Sequence, residues 1–237
     1  SASVSSLVGG GTRPVPGEIT LAHHGILFLD ELPEFSRAAI EAIRQPIEDG
    51  EIVVSRVRES VKFPAQFMLV ATQNPCPCGY YESKSKNCIC SASAIFGYQK
   101  KISGPILDRI DLQVRVEAIK HSDLLKSSRE SETSETIRLR VLAAADRQIE
   151  RFGKMRYNNS MTNREVRQLS NLSPAAKELL DHAASKLQLS ARGYMRSVKV
   201  SRTIADLDDK NEIGPSHIAE ALQFRLQQSN QLLTPVI

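Results

Sequence analysis

The chain has 237 residues, 41% hydrophobic and 24% charged, with a formal net charge of +4. That is enough apolar material for one large domain or two small ones. No apolar run approaches the roughly 18 residues of a membrane helix, and the opening SASVSSLVGG lacks the basic and apolar segments of a secretory leader, so the cytoplasm is expected. The small positive charge permits an anionic partner such as nucleic acid without demanding one. Trp is absent and Tyr and Phe are sparse, so composition predicts no base-stacking platform. The Gly-rich start without an initiator Met suggests a piece excised from a longer protein.

Residues up to Glu18 contain Gly9, Gly10, Gly11, Pro14, Pro16 and Gly17 and read as loop. Gly25-Ile-Leu-Phe-Leu-Asp30 is a short apolar run ending in an acid, the pattern of a parallel strand buried on both faces. Ser36 is placed to cap a helix through Ala39, Ile40 and Ile43, which Pro46 is expected to stop. Residues 51–63 alternate apolar and polar side chains and predict a β-hairpin. A second buried strand is expected over Phe67–Ala71, running into Thr72-Gln73-Asn74-Pro75. Residues 102–118 predict a turn, a short helix and a strand from Asp111 to Val116.

Beyond His121 the chain turns helix-forming and charged, with a Ser/Glu-rich linker at 127–134. Leu142, Ala145, Ile149 and Phe152 recur at helical spacing, Ser173-Pro174 starts another helix, and Pro215 a last one. The expected division is therefore 1–120, an α/β region, and 121–237, an all-helical one.

Candidate chemistry begins with Asp30 and Glu31, adjacent carboxylates at the carboxyl end of an apolar strand, where open α/β sheets hold ligands. In ATP hydrolysis the first acid can hold Mg²⁺ and the second polarise the attacking water. Alone, the pattern equally fits a solvated acidic turn. Asn74, at the tip of the next strand, can orient that same water, although Asn-Pro is also simply a turn. Arg109, on a short helix after a Gly-Pro turn, can reach a neighbouring subunit's γ-phosphate or form an intramolecular Asp–Arg pair. Arg192, Arg196, Lys199 and Arg202 fall at spacings of 4, 3 and 3, on one helix face, either functional or a solvated basic stripe.

The ordered set GILFLDELPEF, ATQNPCPCGYY, ISGPILDRIDL and SARGYMRSVKVSRTIADL resembles the magnesium-chelatase-like AAA+ family of bacteria, specifically its ComM/YifB branch. The resemblance covers nearly the whole chain. It implies a partial AAA+ P-loop core with a parallel sheet and a hairpin insertion, followed by a helical lid. By the same resemblance Asp30 and Glu31 are the Walker B pair, Asn74 sensor 1, Arg109 the arginine finger acting in trans, and Arg192 sensor 2. A homo-hexameric ring is implied, with residues 51–63 lining the pore and Arg56, Arg58 and Lys62 meeting phosphates of a threaded DNA strand.

One departure matters: no GxxxxGK[ST] occurs, and the Gly-rich run before Thr12 has no following Lys. The family carries that loop upstream, so these residues alone are expected neither to bind ATP tightly nor to hydrolyse it. All four cysteines, Cys76, Cys78, Cys88 and Cys90, form CxC-x9-CxC, a set suited to tetrahedral Zn²⁺, with free thiols as the alternative. The five histidines, His23, His24, His121, His182 and His217, have no partner at ligand or triad spacing. Three functions compete: an ATP-driven motor on DNA for branch migration or unwinding, a chelatase-type ATPase assisting Mg²⁺ insertion into a porphyrin, and a non-catalytic assembly or nucleic-acid-binding module.

Overall fold

A computed structural model describes residues 3–11, 14–55, 60–83, 86–117 and 132–225. The chain divides into two compact units, Ser1–Arg109 and Ile110–Ile237. No described helix is long and apolar enough to cross a membrane.

The first unit is mixed α/β. Helix α1 (Val4–Val8) is capped by the Ser3 hydroxyl, which accepts from the Ser6 N–H at 3.1 Å. It leads into the antiparallel pair β1 (Gly9–Gly10) and β2 (Val15–Pro16). Gly9 has φ +90°, and a Cβ there would lie 2.2 Å from the Val15 carbonyl oxygen, so only glycine fits. After α2 (Glu18–Leu21) comes β3 (Ile26–Leu29), which pairs in parallel with β6 (Met68–Ala71) in the register Leu29↔Ala71. Between them lie α3 (Arg37–Ala42), α4 (Arg44–Asp49) and the antiparallel hairpin β4 (Glu51–Ser55) and β5 (Ser60–Pro64).

Helix α3 ends at Ala42, short of Pro46 as expected, but Pro46 does not stop helix formation. It occupies the first turn of α4, where an N–H has no intrahelical partner, and Gly50 at φ 67° ends that helix instead. The two-sided burial expected of the strands also fails. Leu27 and Leu29 face a core with Leu7, Ile19, Ile40 and Ile106, whereas Ile26 is 62% and Phe28 58% exposed, as is much of Met68. The parallel pair has two strands, and the described elements cover one face of it. Each fully buried Leu or Ile on that face contributes about 1.5–3 kcal/mol.

Two short helices close the unit, α5 (Ala92–Gln99) and α6 (Gly104–Leu107). The strand expected at Asp111–Val116 does not form; Leu112, Val114 and Val116 are exposed. The alternation is present, but no described strand pairs with the segment, and a strand exists only through its ladder.

The second unit is helical: α7 (Ser134–Phe152), α8 (Asn163–Leu169), α9 (Pro174–Lys186), α10 (Ala191–Leu207) and α11 (Pro215–Gln223). Thr133, Thr162, Ser173 and Ser190 each cap a helix through the side-chain oxygen. Leu180, Val198, Ala205, Ile213 and Ile218 form its core. In α7 the buried positions are Ala144 and Gln148 rather than the expected stripe, and Leu142 is exposed. A polar contact sets that face: Gln148 accepts the Asn158 backbone N–H at 2.9 Å, and Arg151 pairs with Asp206. The boundary expected at 120/121 and residues 127–131 of the expected linker lie outside the described residues, whereas the last part of that linker forms the start of α7, with Thr133 as its cap and Ser134 as its first residue.

Candidate functional site

The β3–β6 register decides the geometry of the acidic pair. Because Leu29 faces Ala71, the next residues, Asp30 and Thr72, leave the two strands side by side. Thr72 Oγ1 donates to Asp30 Oδ1 at 2.6 Å and accepts the Glu31 N–H at 2.9 Å. The Thr72 carbonyl also accepts the Leu32 N–H at 2.9 Å, which locks the turn after the acids. Glu31 has φ 53° and ψ 52°, a left-handed conformation that costs a non-glycine residue of order 1–3 kcal/mol and that clusters at functional positions. Asn74 Nδ2 then donates to Glu31 Oε1 at 3.3 Å. Asp30, Glu31 and Asn74 are thus brought together, all exposed at the carboxyl edge of the parallel pair. The exposed Asp30 carboxylate, oriented by Thr72 at this open edge, is a hard oxygen donor of the kind that binds a small divalent cation such as Mg²⁺.

Three contributors are not identified by the sequence pattern. Thr72 was visible in the motif, but its role follows from strand register. Tyr98 is buried, and burial, followed by the charge of Glu34, pushes its phenol up, while the Asn74 backbone hydrogen-bonds to it. Gln99 Nε2 donates to the Pro75 carbonyl at 3.0 Å. Helix α5 therefore braces the Asn74-Pro75 turn from behind.

Arg109 is only 4% exposed. Its Nε donates to Glu48 Oε2 at 3.0 Å, Nη2 pairs with the same oxygen, and Nη1 donates to the Pro105 carbonyl at 2.6 Å. Arg109 is thus held in an internal ion pair, but to Glu48 of α4, where the sequence suggests an Asp. Arg192 lies in the second unit, exposed on the first turn of α10, where the Ser190 hydroxyl accepts the Gly193 N–H at 3.0 Å. The basic stripe behind it is partnered within the second unit, half-buried at Arg196 and Lys199 and buried at Arg202. Arg196 pairs with Asp111 at 2.5 Å, and Lys199 Nζ donates to the Asn159 carbonyl at 2.9 Å, its pKa lowered chiefly by burial. Arg202, 1% exposed, donates to the Asn211, Ser170 and Lys210 carbonyls, satisfying chain ends that the helices leave open. On the hairpin, Lys62 pairs with Glu51 at 2.7 Å, while Arg56 and Arg58 lie outside the described residues.

The four cysteines converge, with all sulfurs within 4.8 Å of one another. Separations are 3.4 Å for Cys76–Cys78, 3.7 Å for Cys76–Cys88 and 3.6 Å for Cys78–Cys88. Four thiolates around zinc, with bonds of ~2.3 Å, have sulfur–sulfur edges of roughly 3.8 Å. Backbone N–H groups of Tyr80 and then Ile89 hold the Cys78 thiol down at about 6, while burial pushes Cys90 up. Four sulfurs gathered this closely form a donor set that fits a thiophilic metal, which would bind them as thiolates.

An acidic pair at the carboxyl edge of a parallel pair, followed by a separate helical unit, is the arrangement of a partial AAA+ core with its helical domain. The chain belongs to the family described as magnesium chelatase, subunit ChlI, which matches residues 1–124, and the C-terminal family of the same subunit matches residues 131–225. It is 45% identical to "Competence protein ComM" of Haemophilus influenzae over 225 residues, 95% of this chain and 43% of that protein. "Uncharacterized protein YifB" of Escherichia coli K12 is 42% identical over 95% of this chain and 44% of its own length. "Uncharacterized protein Rv2897c" of Mycobacterium tuberculosis is 38% identical, with 95% of this chain and 44% of that protein covered. The chain therefore spans less than half the length of these relatives.

Proposed function

We propose that these residues are the carboxyl-terminal half of an ATP-hydrolysing AAA+ ring motor that acts on DNA, with 1–120 completing the core and 121–237 forming the lid. The observation that carries this is the Asp30–Thr72–Glu31–Asn74 hydrogen-bond chain at the strand edge. Asp30 would hold Mg²⁺, which when bound neutralises charge on the phosphates. Glu31 polarises the attacking water, and Asn74, in reach of the Glu31 carboxylate, orients it. The phosphate-binding loop comes from upstream, so the 237 residues alone do not turn over ATP.

Arg109 serves as the finger in trans, but Glu48 must first release it, so it acts only once subunits meet. Arg192 reads the nucleotide from the lid. The similarity to a competence protein favours DNA as the substrate, with the hairpin side chains Arg56, Arg58 and Lys62 on its phosphates inside a hexamer. Cys76, Cys78, Cys88 and Cys90 would hold Zn²⁺, which when bound would stiffen the insertion next to Asn74. The family description keeps a second reading, a chelatase-type ATPase, in view. A strand-displacement assay on branched DNA with the full-length protein tests the proposal: ATP-dependent displacement supports a motor, whereas porphyrin-stimulated, DNA-indifferent hydrolysis supports the chelatase reading.

A further inference from the structure

Composition argued against a base-stacking surface, yet the insertion between Asn74 and α6 exposes aromatic rings beside cations. On α5, Phe96 is 57% exposed, and Lys100, one helical turn on, places Nζ 4.1 Å from its ring centroid. In the cysteine loop, Tyr80 is 39% exposed, with Lys86 Nζ 4.9 Å from its ring centroid and 3.3 Å from its hydroxyl. Ile89, between the last two cysteines, is 87% exposed. The cysteine cluster closes the loop, and α5 begins two residues after Cys90, so both ring–cation pairs stand on one small braced scaffold.

We propose that this cysteine insertion is a second contact for single-stranded DNA, separate from the hairpin. Phe96 and Tyr80 stack on bases, and Lys100 and Lys86 meet the adjacent phosphates. The chemistry favours this ligand over a protein partner: each exposed ring has a cation at its edge or face, and the segment from Cys76 to Lys101 carries four lysines against one glutamate. An aromatic face next to a phosphate-reaching ammonium is what sequence-tolerant binding of a flexible polyanion requires. The inference rests on the reading that the protein acts on DNA, but not on ATP hydrolysis.

The test is fluorescence anisotropy of a labelled oligothymidylate, without nucleotide, on the full-length protein over a salt series. Phe96→Ala is expected to weaken binding about 5- to 150-fold, the range for one stacked base, and Phe96→Tyr to retain it. The double variant Lys86→Ala with Lys100→Ala is expected to flatten the slope of log K against log salt by about 1.4, two phosphate contacts on a single strand. Phe96 and both lysines are exposed, so folding is not at stake. Wild-type affinity and slope in all these variants, with binding lost in Arg56→Ala plus Arg58→Ala, would overturn the second contact while leaving DNA as the substrate. Failure of the wild type to bind the oligonucleotide would overturn both.

Discussion

Replacing Thr72 by Val removes one hydroxyl and two hydrogen bonds: the donation to Asp30 at 2.6 Å and the acceptance from the Glu31 N–H at 2.9 Å. The strand pairing survives, because the Thr72 N–H to Leu29 bond at 3.0 Å and the Leu32 N–H to Thr72 bond at 2.9 Å are made by the backbone. Both lost partners are exposed and can turn to water, so folding should lose only about 1 kcal/mol. The site should lose more, because Asp30 and the left-handed Glu31 are no longer fixed relative to each other. A charge-assisted hydrogen bond is worth about 1.5–3 kcal/mol, which expressed wholly in the transition state is roughly 10- to 150-fold in kcat. Steady-state ATP hydrolysis by the full-length protein measures this, alongside urea unfolding of the same variant. Thr72→Ser should restore most of the rate. Undiminished kcat in Thr72→Val would refute the positioning role, and a rate lost equally in Thr72→Ser would show that the methyl group matters rather than the hydroxyl.

Other substitutions probe the remaining clusters. Asp206→Ala strips a fully buried carboxylate from Arg151, Arg202 and Asn158, and should destabilise the helical unit by about 3–5 kcal/mol in urea unfolding. Glu165 is held well below the usual carboxylate range, first by the Arg156 guanidinium and then by the backbone and hydroxyl of Thr162. Its folded pKa lies below its unfolded one, so its stabilisation is present above about pH 4.3 and is lost as pH falls below that. Thermal unfolding of Glu165→Gln should accordingly vary less between pH 5 and pH 3 than that of the wild type. Purified without chelator, the chain should carry one Zn²⁺ per molecule by elemental analysis, and Cys88→Ser should lose most of it; a metal-free wild type would leave the cysteines as free thiols. Arg109→Ala should abolish hydrolysis by the full-length protein while sparing nucleotide binding, and should also cost stability, because it removes a buried partner of Glu48.

The parallel pair, the hairpin, the capped helices and the convergence of four cysteines were all legible in the residue pattern, because each depends on local periodicity, a cap or a close spacing. What stayed hidden depends on pairing between distant residues. The Asp30–Thr72 contact follows from strand register, a relation across 42 positions of sequence. Arg109 was recognised as an arginine able to act or to pair, but Glu48, 61 positions away, could not be named as its partner. The cations at 196, 199 and 202 share a face as their spacing requires, yet that face turns inward to carbonyls and Asp111, which helical period alone cannot decide. Alternation at Leu112–Val116 signals a strand, but the fold supplies no ladder partner among the described residues.

The most direct measurement is the rate of ATP hydrolysis by the full-length protein with and without single-stranded and branched DNA, wild type beside Glu31→Gln. Strong stimulation by DNA that disappears in Glu31→Gln is the predicted result. Hydrolysis indifferent to DNA, or unchanged by Glu31→Gln, would contradict the account.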